Sequence, residues 1–246
     1  MAVEFLTLAD CSLAYQRQVG DADRPGIVFL SGYASDMEGH KAQYLAERCA
    51  GAHISFMRFD YRGCGLSPGV FTDSTIGAWL QDSFAILDIL TKGPQIVVGS
   101  SMGGWLGLIL ASARPERVKA FVGIAAAPDF TEELVWEKLT DAGRKVLLRE
   151  GRIFDGENPS HERAPITLRL IEEARTHLIL RTPFTLPCPA RLLQGKKDGE
   201  VPYAYAQRIA DHIGGDARVT LVEDGDHRLS TPENLELLWQ TVGEFL

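Results

Sequence analysis

The chain has 246 residues, a length that one elaborated domain accommodates without a second. Its 45% hydrophobic and 24% charged residues are ordinary for a globular protein, and no apolar run approaches the roughly 20 residues that span a bilayer. The net charge of -8 repels nucleic-acid phosphates and anionic membrane surfaces. We therefore expect no nucleic-acid partner and no membrane insertion, and a small molecule as the partner.

The four cysteines lie far apart without C-x-x-C spacing, which argues against a zinc site and a disulfide framework. They are Cys11, Cys49, Cys64 and Cys188. Residues 1–10 contain an early Glu4 and no basic segment ahead of an apolar block, so they do not resemble a secretory signal. By default, the sequence predicts a cytoplasmic location and reduced thiols.

Strand-like and helix-like segments alternate along the chain, which is typical of βαβ units and a mostly parallel sheet. Two short segments, 3–8 and 12–17, predict an antiparallel hairpin at one sheet edge. Five apolar runs of buried-strand length follow, at 26–30, 53–59, 95–99, 118–125 and 190–194, and 218–222 is predicted as a last strand. Helical length or periodicity predicts helices at 38–49, 76–90, 102–113, 204–213 and 232–246. The fold class is α/β, with an eight-stranded sheet flanked by helices.

Residues 129–183 interrupt this alternation, because they hold no convincing strand and predict two or three amphipathic helices, around 132–138, 141–150 and 165–175. We predict a small helical cap inserted into a single domain that covers 1–246. The apolar side chains of this region either line a pocket or, as is more usual at helical spacing, form a packed face. They are Phe130, Leu134, Trp136, Ile153, Phe154 and Phe184.

The sequence GSSMG at 99–103 matches G-x-S-x-G and stands between an apolar strand and a helix. In a nucleophile elbow the serine occupies a strained strand-to-helix turn, and the flanking glycines leave room for the bend. The N-terminus of the next helix also directs N–H groups at developing negative charge. The pattern predicts Ser101 as a nucleophile, and the alternative is an N-cap serine with glycines for flexibility.

A serine hydroxyl is a weak nucleophile and needs a base, which a third group must orient. With such an elbow the triad follows the chain order Ser, acid, His, so the base is a histidine after Ser101. His161 and His177 fall in the predicted insertion and His212 in a helix, which favours structural or solvated roles. His227 lies in the turn-rich sequence EDGDH before the last helix and is the predicted general base, with a plain surface histidine as the alternative.

The predicted acid is Asp198, which follows the strand at 190–194, the usual position of the acid in this fold. Asp129, after the preceding strand, is the alternative position. Asp224 and Asp226 are so close to His227 that they favour a role in stabilising its turn. A turn aspartate is the other interpretation of Asp198.

An oxyanion hole accompanies this elbow, made by the N–H of the residue after the nucleophile and an N–H from the loop after the third strand. These positions are Met102 and Tyr33, and Gly32 lets the loop turn inward. The next residues, SDME at 35–38, predict a capping box that opens a helix, with substrate contact as the alternative.

Several stretches share a recognisable pattern: SGYASDM at 31–37, RFDYRGCG at 58–65, the elbow, 195–203 and GDHR at 225–228. Together they resemble the α/β-hydrolase family and, within it, the branch of palmitoyl-protein thioesterases and acyl-glucuronide esterases. The resemblance covers nearly the whole chain and implies Ser101, Asp198 and His227 as the triad, with a short helical cap. The chain differs from the mitochondrial member in having no basic, Ser-rich presequence, so no matrix targeting is expected.

These residues predict a serine hydrolase that cleaves carboxylic esters or acyl thioesters through an acyl-enzyme, with no metal or organic cofactor. The expected substrate is a small acyl ester or thioester, or an acylated protein. Ser101 argues against dehalogenases, epoxide hydrolases and dienelactone-type hydrolases, which carry Asp or Cys at the elbow. A peptidase, a C–C bond hydrolase and a non-catalytic receptor are the alternatives that retain the triad. The sequence leaves the oligomeric state open.

Overall fold

The chain builds an eight-stranded sheet with helices on both faces, in a computed structural model that describes residues 2–154, 164–182 and 184–246. Two further short strands form a separate pair. In chain order the strands are β1 (Glu4–Thr7), β2 (Ser12–Gln18), β3 (Gly26–Leu30), β4 (Phe56–Phe59), β5 (Gln95–Ser100), β6 (Val118–Ile124), β7 (Arg152–Phe154), β8 (Pro165–Thr167), β9 (Ala190–Gly195) and β10 (Ala217–Val222).

The strand order of the main sheet is β1-β2-β4-β3-β5-β6-β9-β10. The pairs β1/β2 and β2/β4 are antiparallel, and the other five pairs are parallel. Strands β3, β5 and β9 are buried along their whole length, as expected for central parallel strands covered on both faces. The predicted mostly parallel sheet with an N-terminal hairpin at one edge is confirmed.

Helices connect the strands and cover the sheet. They are α1 (His40–Gly51), α2 (Ile76–Ala85), α3 (Met102–Ala113), α4 (Asp141–Glu150), α5 (Leu168–Ala174), α6 (Ala204–Ile213) and α7 (Pro232–Gly243). Threonine side chains cap four of them at the N-terminus, each accepting a hydrogen bond from a first-turn N–H, as Thr231 does for α7. Among the described residues, no helix is long and apolar enough to cross a bilayer.

Two apolar layers hold the helices to the sheet. One contains Leu45 of α1 and Leu238 of α7, together with the side chains that β3, β4 and β5 direct to that face. The other contains Trp105 of α3 and Ile209 of α6, and it also includes α2. Because the central strands are parallel, their carboxyl ends lie at one edge of the sheet, between the two layers. The loops that carry the predicted site residues begin at this edge.

The start of α1 differs from the prediction. The helix begins at His40, and its N-cap, Gly39, has no side-chain cap. The Asp36 carboxylate instead accepts a hydrogen bond from Glu38 N at 2.9 Å, so SDME forms a turn ahead of the helix. A capping box and this turn use the same residue types, and the backbone geometry separates them. The predicted capping box is therefore wrong.

The region between β6 and β9 also differs from the prediction. It contains α4, α5, a π-helical turn (Thr131–Val135) and two short 3-10 turns, but it also holds the antiparallel pair β7/β8, in which Ile153 opposes Ile166. Three-residue strands are too short to show an alternating pattern, so the expectation of no strand here is wrong. Residues 155–163 and 183 lie outside the described residues.

Candidate active site

Ser101 lies in a strained turn between β5 and α3, with φ +52° and ψ −117°. A positive φ is uncommon for a residue with a side chain, and it persists only where the surroundings enforce it. A Cβ at Gly99 would overlap the Gly103 carbonyl, and one at Gly103 would overlap the Leu30 carbonyl. The two glycines of the motif thus permit the close approach of strand and helix that lifts the Ser101 hydroxyl above the sheet.

The structure brings Ser101, His227 and Asp198 into a chain of contacts. Nε2 of His227 is 3.2 Å from Ser101 Oγ, and Nδ1 is 2.8 Å from Asp198 Oδ2. Because an ionised carboxylate only accepts hydrogen bonds, Nδ1 carries the proton and Nε2 is left to accept from the Ser101 hydroxyl. The three residues come from loops after β5, β9 and β10, at the same edge of the sheet.

The Asp198 carboxylate is fully buried and held on both oxygens. Oδ1 accepts hydrogen bonds from the N–H groups of Glu200 and Val201, both at 2.8 Å. Oδ2 accepts from the Gln194 amide at 2.8 Å in addition to His227. Sequence reasoning missed Gln194, although a polar residue inside an apolar buried strand is the kind of signal that could have identified it.

The loop that carries His227 is fixed from two directions. The Asp226 carboxylate accepts a hydrogen bond from Leu229 N at 2.9 Å, which confirms its predicted role in stabilising the turn. Nζ of Lys41, on α1, donates to the Arg228 carbonyl at 2.6 Å. Burial lowers the pKa of Lys41 to about 8, against the attraction of Asp226. Sequence reasoning did not identify Lys41, because the His227 loop that it contacts is remote from it in the chain.

Glu200 is a third residue that sequence reasoning missed. Its Oε2 lies 3.4 Å from Nε2 of His227, the same nitrogen that faces Ser101. Glu200 follows Asp198 by two residues, so its position just past the predicted acid was the available signal. A carboxylate thus borders the reactive edge of the imidazole.

Asp129, the alternative acid, is buried and serves another part of the chain. It has φ +60°, and its two carboxylate oxygens accept hydrogen bonds from Ile179 N and Leu180 N, each at 2.9 Å. Burial raises the pKa of this carboxyl group. Asp129 therefore ties the chain after α5 to the end of β6, and the structure brings Asp198 to His227.

The other candidate histidines have different partners. His177 contacts the Glu173 carboxylate at 2.8 Å, and His212 contacts the Ile179 carbonyl at 2.8 Å. His161 lies outside the described residues. The described alternatives to His227 thus have structural contacts, as expected from their positions in the sequence.

The loop with Gly32 and Tyr33 lies against the elbow. A Cβ at Gly32 would be 3.4 Å from the Ser101 Cβ, so the backbone here passes close to the nucleophile. Met102 is the first residue of α3, and its N–H is among the helix donors that have no acceptor inside the helix. The structure therefore brings both predicted oxyanion residues next to Ser101.

Tyr33 also joins this loop to the inserted region. Its hydroxyl donates a hydrogen bond to the Pro165 carbonyl at 2.7 Å, and its ring packs edge-on against Phe71 at a centroid distance of 5.1 Å. Burial raises the pKa of the phenol. The loop that passes close to Ser101 is thus anchored by the Tyr33 side chain.

The stretch at 58–65 holds the loop that contains Gly32 and Tyr33. Asp60 accepts hydrogen bonds from Met37 N at 2.7 Å and from Leu66 N at 2.8 Å. Arg58 donates to the Met37 carbonyl at 2.7 Å. These buried contacts hold the end of the 31–37 loop, which gives a structural reason for two of the motifs that carry the family resemblance to occur together.

A cavity of about 320 Å³ opens beside Ser101 and His227. Residues of the 31–42 segment and of 227–230 line it, including Ser35, Lys41 and Arg228. None of the six apolar residues proposed to line a pocket is among its described lining residues. Phe130, for example, packs against the rings of Tyr33 and Trp105 at centroid distances of 5.8 and 5.9 Å, which supports the packed-face interpretation.

A family model described as the alpha/beta hydrolase fold matches residues 25–178 of the chain. The chain belongs to this family. Mitochondrial palmitoyl-protein thioesterase ABHD10 of mouse is 38% identical over 236 residues, which cover 96% of this chain and 79% of that protein. The human ABHD10 is 36% identical over 247 residues, covering 100% and 80%. The solved structure of the mouse α/β-hydrolase domain-containing protein 10 superimposes with a TM-score of 0.92 at 38% identity, covering 99% of this chain and 98% of that one.

These comparisons confirm the predicted α/β-hydrolase fold and the resemblance to the palmitoyl-protein thioesterase branch, and they support a hydrolase of esters or thioesters. They contradict the predicted cytoplasmic location, because the relatives are named as mitochondrial proteins. The prediction was the default that remained once a secretory signal was not recognised. The expectation of no matrix targeting, drawn from the lack of a basic, Ser-rich presequence, is contradicted by the same relatives. Among the described residues, no group of three or more His, Cys, Asp or Glu side chains is placed to hold a metal ion.

Proposed function

We propose that this α/β-hydrolase is a serine hydrolase that cleaves carboxylic esters or acyl thioesters through an acyl-enzyme on Ser101. The observation that carries the proposal is the contact chain from Ser101 Oγ to His227 Nε2 at 3.2 Å and from His227 Nδ1 to Asp198 Oδ2 at 2.8 Å. A nucleophile, a base within hydrogen-bond reach and a third group that orients the base are the parts this chemistry requires.

In the first half of the reaction, the Ser101 hydroxyl attacks the acyl carbonyl while His227 Nε2 takes its proton. The buried Asp198 carboxylate stabilises the imidazolium that forms. The N–H groups of Met102 and Tyr33 receive the oxyanion of the tetrahedral intermediate. The protonated imidazole then gives its proton to the departing alcohol or thiol, which leaves the acyl group on Ser101.

In the second half, a water molecule replaces the leaving group and gives a proton to His227 Nε2. Its oxygen attacks the acyl carbon, and the bond to Ser101 breaks as Oγ recovers the proton. The groups that move the protons and stabilise the charges in this scheme are side chains and N–H groups of the protein. We also propose that the chain is a single domain, in which the inserted region of residues 129–183 acts as a cap beside the site.

The substrate proposed is a small acyl ester or acyl thioester, or an acylated protein. The relatives named palmitoyl-protein thioesterase support an acyl thioester. The cavity beside Ser101 supports a substrate that enters between the 31–42 segment and the His227 loop. The triad itself requires no particular leaving atom, so oxygen esters and thioesters are both expected to react.

The test is covalent labelling combined with a matched substrate series. A fluorophosphonate should label the wild type at Ser101 and leave Ser101→Ala unlabelled. The wild type should hydrolyse matched p-nitrophenyl esters and acyl thioesters of increasing chain length. Ser101→Ala should lose this activity. Turnover confined to amides would contradict the esterase and thioesterase proposal, and labelling without turnover of any substrate would favour a receptor.

A further inference from the structure

The carboxylate of Glu200 lies beside the imidazole nitrogen that must accept a proton from water in the second half of the reaction. Its Oε2 lies 3.4 Å from Nε2 of His227, and the same nitrogen lies 3.2 Å from Ser101 Oγ. The Glu200 side chain is 25% exposed, so it is neither sealed in the core nor free in solvent. A molecule that approaches Nε2 beside Ser101 therefore meets this carboxylate.

The turn that carries Asp198 also fixes the position of Glu200. The Glu200 N–H donates to Asp198 Oδ1 at 2.8 Å, and the next residue, Val201, donates to the same oxygen at 2.8 Å. Attraction to the Glu200 carboxylate raises the pKa of Lys41, against the larger effect of burial. The backbone at Glu200 is thus held by the same hydrogen bonds that hold the acid.

The water that releases an acyl group from a serine has two hydrogens with different fates. One passes to the histidine as the oxygen attacks, and the other stays with the oxygen and becomes part of the acid. An acceptor for the second hydrogen restricts the rotation of the water and keeps a lone pair directed at the acyl carbon. Two atoms 3.4 Å apart, as Nε2 and Oε2 are, can both lie within ordinary hydrogen-bond distance of one water oxygen.

We propose that Glu200 accepts a hydrogen bond from the hydrolytic water and orients it for attack on the acyl-enzyme, an inference that rests on the proposed acyl-enzyme mechanism. The water oxygen bonds to the acyl carbon, and one hydrogen moves to His227 Nε2. The bond from the acyl carbon to Ser101 Oγ then breaks, and Oγ takes that proton back. Glu200 receives no proton at any step, and the second hydrogen leaves with the product acid.

This role distinguishes water from alcohols as acceptors of the acyl group. Methanol has a single hydroxyl hydrogen, which His227 must take, so methanol has no second hydrogen to offer Glu200. Loss of the Glu200 carboxylate should slow hydrolysis while leaving methanolysis of the same acyl-enzyme nearly unchanged. Glu200 would thereby favour hydrolysis over acyl transfer.

The experiment measures how one acyl-enzyme divides between water and methanol. Enzyme is mixed with p-nitrophenyl butyrate at a fixed methanol fraction, and methyl butyrate and butyric acid are quantified. Glu200→Ala should raise the ratio of methyl ester to acid by about 10-fold, the loss of one hydrogen bond to a charged group. Glu200→Gln keeps an acceptor oxygen and should change the ratio by less than about threefold.

A matched control removes one negative charge nearby without touching the water. Glu223 pairs with Lys196 at 2.7 Å and is 78% exposed, so Glu223→Gln should leave the ratio at the wild-type value. The ratio does not depend on the amount of folded enzyme, so a poorly folding variant still gives an answer.

Three results would overturn the inference. They are an unchanged ratio in Glu200→Ala, an equal rise in Glu223→Gln, and a rise in Glu200→Gln as large as in Glu200→Ala, which would assign the effect to charge. Failure of the proposed function has a different signature. Intact-mass measurement would then find no butyryl group on Ser101 in the wild type during turnover, whatever the product ratio.

Discussion

Asp198 Oδ2 lies 2.8 Å from Nδ1 of His227, and the Asp198 side chain has no exposed surface while His227 retains 14% exposure. The carboxylate therefore meets the imidazole in a dry environment, where it fixes the ring orientation and favours the imidazolium. The exposed fraction of His227 faces the cavity beside Ser101. The role of this contact can be tested by a substitution at residue 198 that removes the charge and keeps the side-chain shape.

Asp198→Asn should lower kcat by about 10³- to 10⁴-fold with little change in fold. The amide preserves the side-chain shape but removes the charge that stabilises the imidazolium, and its NH₂ group competes with the Nδ1 proton. Steady-state kinetics on a p-nitrophenyl ester, with circular dichroism to verify the fold, measures this. A variant with more than a tenth of the wild-type rate would contradict the assignment.

Asp129→Asn is the matched control at the alternative acid position. Asparagine tolerates the positive φ of residue 129, but it replaces one acceptor of the N–H groups of Ile179 and Leu180 by a donor. We expect a loss of about 1–3 kcal/mol in the free energy of unfolding, and a kcat within a few-fold of wild type. Urea denaturation and kinetics measure the two quantities. If this variant lost activity and Asp198→Asn kept it, the acid would be Asp129.

Ser101→Ala and His227→Ala should each reduce kcat by about 10⁴-fold or more, and the double variant should be little worse than either. The two side chains act together on one proton, as their 3.2 Å contact implies, so removing the second after the first costs little. Pre-steady-state and steady-state rates of the three variants give the comparison. Multiplicative losses would indicate separate roles.

Gly103→Ala should destabilise the protein and impair catalysis, because its Cβ would overlap the Leu30 backbone carbonyl at the elbow. Backbone there has little room to shift, and overpacking of this kind costs about 1–3 kcal/mol or more. Gly243→Ala is the control: it lies at the end of α7, and a Cβ there meets nothing within 4 Å. It should be neutral or stabilise by up to about 1 kcal/mol. Equal effects on thermal unfolding would contradict this account of the elbow.

The sequence predicted the sheet and the elbow well, since local patterns specify both. Buried parallel strands have continuous apolar runs, and a tight strand-to-helix turn requires glycines at the positions of Gly99 and Gly103. The structure places Asp198 and His227 as expected, because the chain order of such a site is known and few candidates follow Ser101. These inferences needed no knowledge of distances between remote residues.

Other features depend on contacts that no local pattern contains. Lys41 reaches the His227 loop from α1, at a separation of 187 residues, and Glu200 meets His227 across two loops. The strands β7 and β8 are only three residues long. The start of α1 depends on a turn that has the composition of a capping box. The function of side chains that converge from distant segments could therefore be assigned only once the topology was known.

Lys41 gives the site a pH-dependent contribution to stability. Burial lowers its pKa from the ordinary 10.5 to about 8 in the folded protein. Below pH 8 the lysine is protonated in both the folded and unfolded states, so the cost of burying its charge is fully present. Between pH 8 and 10.5 the folded state has lost this proton and the unfolded state retains it, so the contribution of Lys41 to stability rises with pH.

Lys41→Met isolates this effect, because the wild type and the variant share every other titratable group. The free energy of unfolding of the wild type, relative to that of the variant, should increase between pH 8 and 10.5 by up to about 1.4 kcal/mol per pH unit. Urea denaturation at pH 7.0, 8.0, 9.0 and 10.0 measures the difference. A difference that does not change with pH would mean that the Lys41 ammonium remains charged in the folded protein up to the ordinary range, held by Asp226 and Glu200 more strongly than burial opposes it.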